Sequence, residues 1–164
     1  MKKIYLLALA VIGFSANSFA QATATATATI ISPITIVKDV DMNFGNIAVG
    51  AIAGTVVLPA TGARTITGGV TLPTFNIGTV SAAAFTVTGT ALYTYTLTLP
   101  TLATTLTSGG NTMSANAFTS SSAGTLSAGG TQSFTVGATL TVAASQAAGT
   151  YVSGTPFTVT VNYN

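Results

Sequence analysis

The sequence predicts an all-β protein, a sandwich or barrel of short antiparallel strands. Threonine makes up about a fifth of the chain and alternates with apolar residues in segment after segment. Period-two alternation of β-branched residues marks half-buried strands. Glycine- and proline-containing turns punctuate the chain at short spacing, as in sandwiches and barrels. Beyond residue 20 no stretch of useful length has helical periodicity.

Residues 1–20 read as an export signal. Lys2 and Lys3 make a basic start, Ile4 to Phe14 an apolar run, and Ser18-Phe19-Ala20 places small residues where a signal peptidase inspects them. The run is too short for a stable membrane anchor, so cleavage after Ala20 is expected. An uncleaved anchor is the alternative. Residues 21–33 then form a strand-like extension and 34–164 a single domain. In the extension, Ala22, Ala24, Ala26, Ala28 and Ile30 share one face and threonines the other, until Pro33 cuts it off.

The domain's strands follow in order. Ile34, Ile36, Val40, Met42 and Phe44 share a parity that Lys38 breaks, and a lysine on an inward face predicts a break or an edge. Val56 to Leu58 is a short strand stopped at Pro59. Between Arg64 and Leu72, a hairpin with a Thr67-Gly68-Gly69 loop would pair Ile66 with Val70 and keep one face apolar. Phe85 and Val87 mark a strand stopped at Gly89. Tyr93, Tyr95, Leu97 and Leu99 share an apolar face, ended by Pro100. Phe134, Val136, Ala138, Leu140 and Val142 form the longest apolar face. Phe157, Val159, Val161 and Tyr163 form the last. Gly109-Gly110-Asn111 and Ala128-Gly129-Gly130 read as loop tips, and Thr119 to Gly130 as a polar surface loop.

The composition excludes most chemistry. After residue 20 the charged side chains are Lys38, Asp39, Asp41 and Arg64, and the chain has no histidine, cysteine, tryptophan or glutamate. Acid–base catalysis, activated nucleophiles and metal centres draw on those residue types. The expectation is no catalytic site, no cofactor and no metal. Asp39 and Asp41 offer too few oxygens for calcium and read as a solvated pair beside Lys38. They lie side by side rather than across a cleft, unlike a glycosidase pair. Arg64 reads as a solubilising edge charge or a partner for one of these aspartates. The charge without the signal is balanced, so no nucleic-acid partner is expected. A near-neutral, threonine-rich surface keeps molecules apart poorly and suits an assembly.

Several segments together resemble a bacterial family known as domain of unknown function 4402. They are Met42-Asn-Phe-Gly-Asn-Ile-Ala-Val-Gly50, Gly54-Thr-Val-Val-Leu-Pro59, Gly62-Ala-Arg-Thr65, Gly68-Gly-Val-Thr-Leu72, Phe85-Thr-Val-Thr-Gly89, Thr94-Tyr-Thr-Leu-Thr-Leu-Pro100 and Gly149-Thr-Tyr-Val-Ser-Gly-Thr-Pro-Phe-Thr-Val-Thr-Val-Asn-Tyr-Asn164. The ending, a Gly-Thr-Tyr segment before an alternating strand with a penultimate tyrosine, is similar to that of chaperone–usher pilus subunits and spore-coat-U-like secreted subunits.

That resemblance implies an immunoglobulin-like antiparallel β-sandwich that lacks a strand and takes one from a neighbour. Phe157, Val159, Val161 and Tyr163 would line the acceptor groove. Ala24, Ala26, Ala28 and Ile30 would be the donor face. Partners would be copies of the chain or related subunits, with a periplasmic chaperone and an outer-membrane usher. Many such subunits carry a disulfide, which this chain cannot form, and their donors are bulkier. At about 0.8 kcal/mol per buried CH₂, four alanines give about 3 kcal/mol and Ile30 about 2 more, so ladder hydrogen bonds must contribute more of the junction.

The function expected is an exported structural subunit of a pilus, fimbria or fibrillar surface layer, at the cell surface or outside it. A monomeric carbohydrate-binding or adhesive module is the alternative, with Tyr151 as its candidate exposed platform. A small transmembrane barrel needs strands of about nine to eleven residues, longer than most of these.

Overall fold

The computed structural model describes residues 20–164. Apart from Ala20, the expected export signal lies outside the described residues. The chain divides after Ile30 into two units. In the first, residues 20–30 carry no regular secondary structure and every side chain is exposed. The second, Ile31–Asn164, is all-β and antiparallel, with no helix among the described residues.

Twelve strands follow in order: β1 (Thr35–Val40), β2 (Asn43–Phe44), β3 (Ala48–Leu58), β4 (Thr65–Thr71), β5 (Val80–Ser81), β6 (Ala83–Thr88), β7 (Tyr95–Thr98), β8 (Thr104–Ser108), β9 (Asn111–Ser120), β10 (Thr131–Val142), β11 (Val152–Ser153) and β12 (Thr160–Tyr163). Eight form one sheet in the order β1-β6-β10-β9-β8-β11, with β3 added to β10 and β4 to β3. Two small sheets, β12–β7 and β2–β5, complete the fold.

β10 organises the molecule. Its first half pairs with β6 and its second half with β3 on one edge, while β9 takes the other edge. The alternation read from the sequence holds along its length: Phe134, Val136, Ala138, Leu140 and Val142 are all buried. Each fully buried valine, leucine or phenylalanine contributes about 1.5–3 kcal/mol. The core falls into two clusters strung along this strand. One joins Phe134 and Val136 to Phe85, Val87, Leu126, Tyr95 and Val161, so β7 and β12 cover it from the second sheet. The other joins Ala138, Leu140 and Val142 to Phe44, Val56, Leu58, Val70 and Ala115. Met42 and Phe118 pack against both.

Lys38 marks both a break and an edge. β1 ends the large sheet, and its register with β6 shifts between Lys38 and Val40. The shift turns Val40 outward to 44% exposure, against its expected inward parity.

The hairpin expected between Arg64 and Leu72 does not form. Thr65–Thr71 is one strand paired to β3, and Gly68-Gly69 lie opposite a bulge in which β3 carries extra residues between Val49 and Gly54. The glycines serve close approach, not a turn. A methyl at Gly68 would collide with the Ala53 carbonyl and one at Gly69 with the Ile52 carbonyl, while φ at Gly68 is +66°.

Other strands shift in extent. Val56 to Leu58 is the end of an eleven-residue strand. β7 starts at Tyr95, leaving Tyr93 43% exposed instead of in the core. The segment before Gly130 is a loop from Ser121 onward, as read, but it holds the fully buried Leu126, whose N–H donates to the Tyr93 carbonyl at 2.9 Å.

Candidate functional site

Across the domain runs an open groove of about 1260 Å³. Its floor is the large sheet, through Phe85 of β6, Leu106 of β8, Met113 and Phe118 of β9 and Val142 of β10. One wall is the run from Ile36 to Val49, and the other is residues 146–153 and 156–159.

The groove exists because the second sheet stops short. β12 pairs with β7 from Thr160↔Thr98 to Tyr163↔Tyr95. Pro100, just beyond, has no N–H to continue the ladder. Phe157 and Val159 keep the apolar alternation of β12, but residues 154–159 carry no strand. Phe157 and Val159 still pack against the first core cluster, and Phe157 meets Phe118 with ring centroids 5.0 Å apart. Among the described residues β1 has β6 as its one strand partner and β12 has β7. Backbone donors and acceptors on a free edge are a template for another strand.

The far wall is braced by polar contacts. Gln146 Nε2 donates to the Thr112 carbonyl at 3.2 Å and to the Tyr151 hydroxyl at 2.7 Å, and that hydroxyl donates to the Ala147 carbonyl at 2.8 Å. Tyr151 is half-buried and tied down, so it is not the free aromatic platform considered from sequence.

Charge is nearly absent from the site. Lys38 Nζ and Asp41 Oδ1 pair at 2.6 Å, both exposed. Asp39 accepts from Thr86 Oγ1 at 2.8 Å. Arg64 pairs with neither aspartate, contrary to one of the two alternatives read from sequence. Its Nη1 donates to the Phe44 carbonyl and, at 3.3 Å, to the Asn46 carbonyl, so it fastens the near wall from behind. Among the described residues no three of His, Cys, Asp and Glu come together. The arrangement can take an extended, uncharged, largely apolar segment and offer it backbone hydrogen bonds.

The residues singled out from the ending separate here. Phe157 and Val159 line the groove. Val161 is 7% exposed in the first core cluster. Tyr163 packs edge-on against Tyr93 at 5.7 Å, and its hydroxyl donates to the Ser32 carbonyl at 2.9 Å. In the other unit Ala24, Ala26, Ala28 and Ile30 are exposed and in no strand. Sequence reading missed the groove's floor on β8 and β9. Met113, Ala115 and Phe118 belong to one face, but a bulge at Ala117, with φ +49°, breaks their period-two signal.

No curated protein and no solved structure shows a significant match to the chain. The family described as "Domain of unknown function (DUF4402)" matches residues 34–163, from just before β1 to the end of β12. The chain therefore belongs to the domain-of-unknown-function family DUF4402.

Proposed function

We propose that the protein is an exported structural subunit, not an enzyme, that assembles into a pilus, fimbria or fibrillar surface layer by strand addition. In this reading the domain is an incomplete immunoglobulin-like sandwich. Residues 22–31 of one copy lie in the groove of the next and pair with residues 154–159. A periplasmic chaperone would cover the groove before assembly, and an outer-membrane usher would deliver the subunit. The signal-like start, Lys2 to Ala20, supports export.

One observation carries the reading: a groove with an apolar floor, flanked by an alternating segment, Phe157 to Val159, that pairs with no strand among the described residues. The groove's lining includes Met42, Phe85, Met113, Phe118 and Phe157, apolar surface against which Ala24, Ala26, Ala28 and Ile30 would be buried.

Electron microscopy of the exported protein tests the proposal. Wild-type protein is expected to form fibres, and its N-terminal residue to be Gln21. Full-length protein with Ala26→Lys and Ala28→Lys is expected to stay monomeric and folded, since each lysine puts an unpaired charge where a methyl was buried. Fibres of normal length from the double variant would overturn assembly through this segment. A mature chain starting at Met1 would favour an anchored protein.

A further inference from the structure

We infer that Tyr163 is a positioning residue for the N-terminal extension, acting through Ser32, and not a wall of the groove. The inference rests on the strand-addition reading and assigns Tyr163 to the donor side of that junction.

Three segments meet at Ser32. Its N–H donates to Thr90 Oγ1 at 3.0 Å. Its carbonyl accepts from the Tyr163 hydroxyl at 2.9 Å. The same hydroxyl accepts from the Thr90 N–H at 2.6 Å, so Tyr163 both donates and accepts. Ser32 thus has both backbone polar groups held by the domain.

The surroundings are shaped for this contact. A Cβ on Gly89 would occupy the place of the Tyr163 hydroxyl. Gly89 in turn donates its N–H to the Gly130 carbonyl at 2.8 Å, fixing the Gly89-Thr90 corner to the start of β10. Tyr93 packs edge-on against the Tyr163 ring and limits its swing. Pro33 follows, which restricts Ser32 to extended backbone and denies the chain an N–H there. Tyr163 is absent from the groove's lining, which on its strand side ends at Val159.

The consequence is a defined root. The donor segment starts within two residues of a fixed point, and residues 21–31 fully extended reach about 36 Å from it. Without the clamp, Ser32 and Pro33 join the free segment and must be ordered at every donation. Ordering one residue weakens association by about 5- to 30-fold when nothing offsets it. The expected effect of Tyr163→Phe is donation weakened by about tenfold, with acceptance unchanged.

The test separates the two roles. Acceptor competence is the affinity of a synthetic peptide of residues 21–31 for full-length protein disabled as a donor by Ala26→Lys and Ala28→Lys. Donor competence is the capture of dilute, otherwise wild-type full-length protein on that same acceptor, immobilised. Tyr163→Phe is expected to leave peptide affinity within twofold and to weaken capture by about tenfold. Thr90→Val, which leaves Tyr163 in place, is expected to shift capture in the same direction and serves if Tyr163→Phe does not fold. Weakened peptide uptake with normal capture would return Tyr163 to the groove, and no change in either arm would remove the clamp's role. If the peptide does not bind the acceptor carrying native Tyr163, strand addition itself fails and this inference falls with it.

Discussion

Phe118 and Phe157 meet at 5.0 Å between ring centroids, tilted by 41°. Phe118 sits on β9 of the large sheet, whereas Phe157 belongs to a segment with no strand pairing among the described residues. This contact holds the unpaired part of the groove's far wall to its floor, beside the β11–β8 pairing and the Gln146–Thr112 hydrogen bond. Phe157→Ala is expected to lower stability by about 2 kcal/mol, less than for a fully buried phenylalanine because Phe157 is half-buried. Urea denaturation measures it. The groove-wall account also requires weaker uptake of a peptide of residues 21–31, whereas a merely exposed ring would leave uptake unchanged.

Arg64 fastens the Phe44 and Asn46 carbonyls and pairs with no aspartate. Arg64→Met is expected to cost about 1–3 kcal/mol by leaving those carbonyls short of a donor. The loss should be the same in backgrounds with Asp39→Asn or Asp41→Asn. A double-mutant cycle showing coupling above about 0.5 kcal/mol would restore the ion-pair reading.

Lys38 and Asp41 are an exposed pair at the end of β1, with side chains 53% and 81% exposed. Asp41→Asn is expected to change stability by less than about 1 kcal/mol, and the effect to shrink with salt. Calorimetric titration with calcium is expected to show no binding at micromolar concentration. Heat of binding abolished by Asp39→Asn would contradict this.

Gly68 lies inside β4 with φ +66°, and its missing side chain makes room for the Ala53 carbonyl. Gly68→Ala is expected to destabilise the domain by about 3 kcal/mol through backbone strain and the displaced β3 bulge. Had these glycines formed a hairpin tip, the added methyl would meet solvent and cost much less. Thermal unfolding distinguishes the two.

Legibility followed the physics of each segment. β10 was readable throughout because one face is buried from Phe134 to Val142, so period two persists. Lys38 announced the edge it occupies. Gly68-Gly69 misled because a glycine pair suits both a turn and a close backbone approach, and the bulged β3 opposite it is distant in sequence. β8 and β9 escaped notice because threonine, serine and asparagine dominate them and Ala117 shifts the parity midway. Leu126 is one buried residue in a polar loop, and one residue has no period. The groove depends on where β7 stops, which Pro100 marked, and on residues 154–159 pairing with no strand among the described residues, which no single segment encodes.

The cysteine-free sequence allows a direct test of strand addition between copies. Val159→Cys places a thiol in the groove, and Ala24→Cys, Ala26→Cys or Ala28→Cys places one on the donor face. Strands paired in register bring such residues within about 4.5–5.5 Å between Cα atoms, which a disulfide spans. Val159→Cys protein is mixed with each donor variant in turn, oxidised gently, and resolved under non-reducing conditions. The account predicts that at least one mixture yields a disulfide joining two different chains, and that Ala26→Lys or Ala28→Lys added to the donor chain abolishes it. No cross-link from any of the three donors, together with a bond inside a single chain when both cysteines share it, would contradict the account and make residues 22–31 the domain's own missing strand.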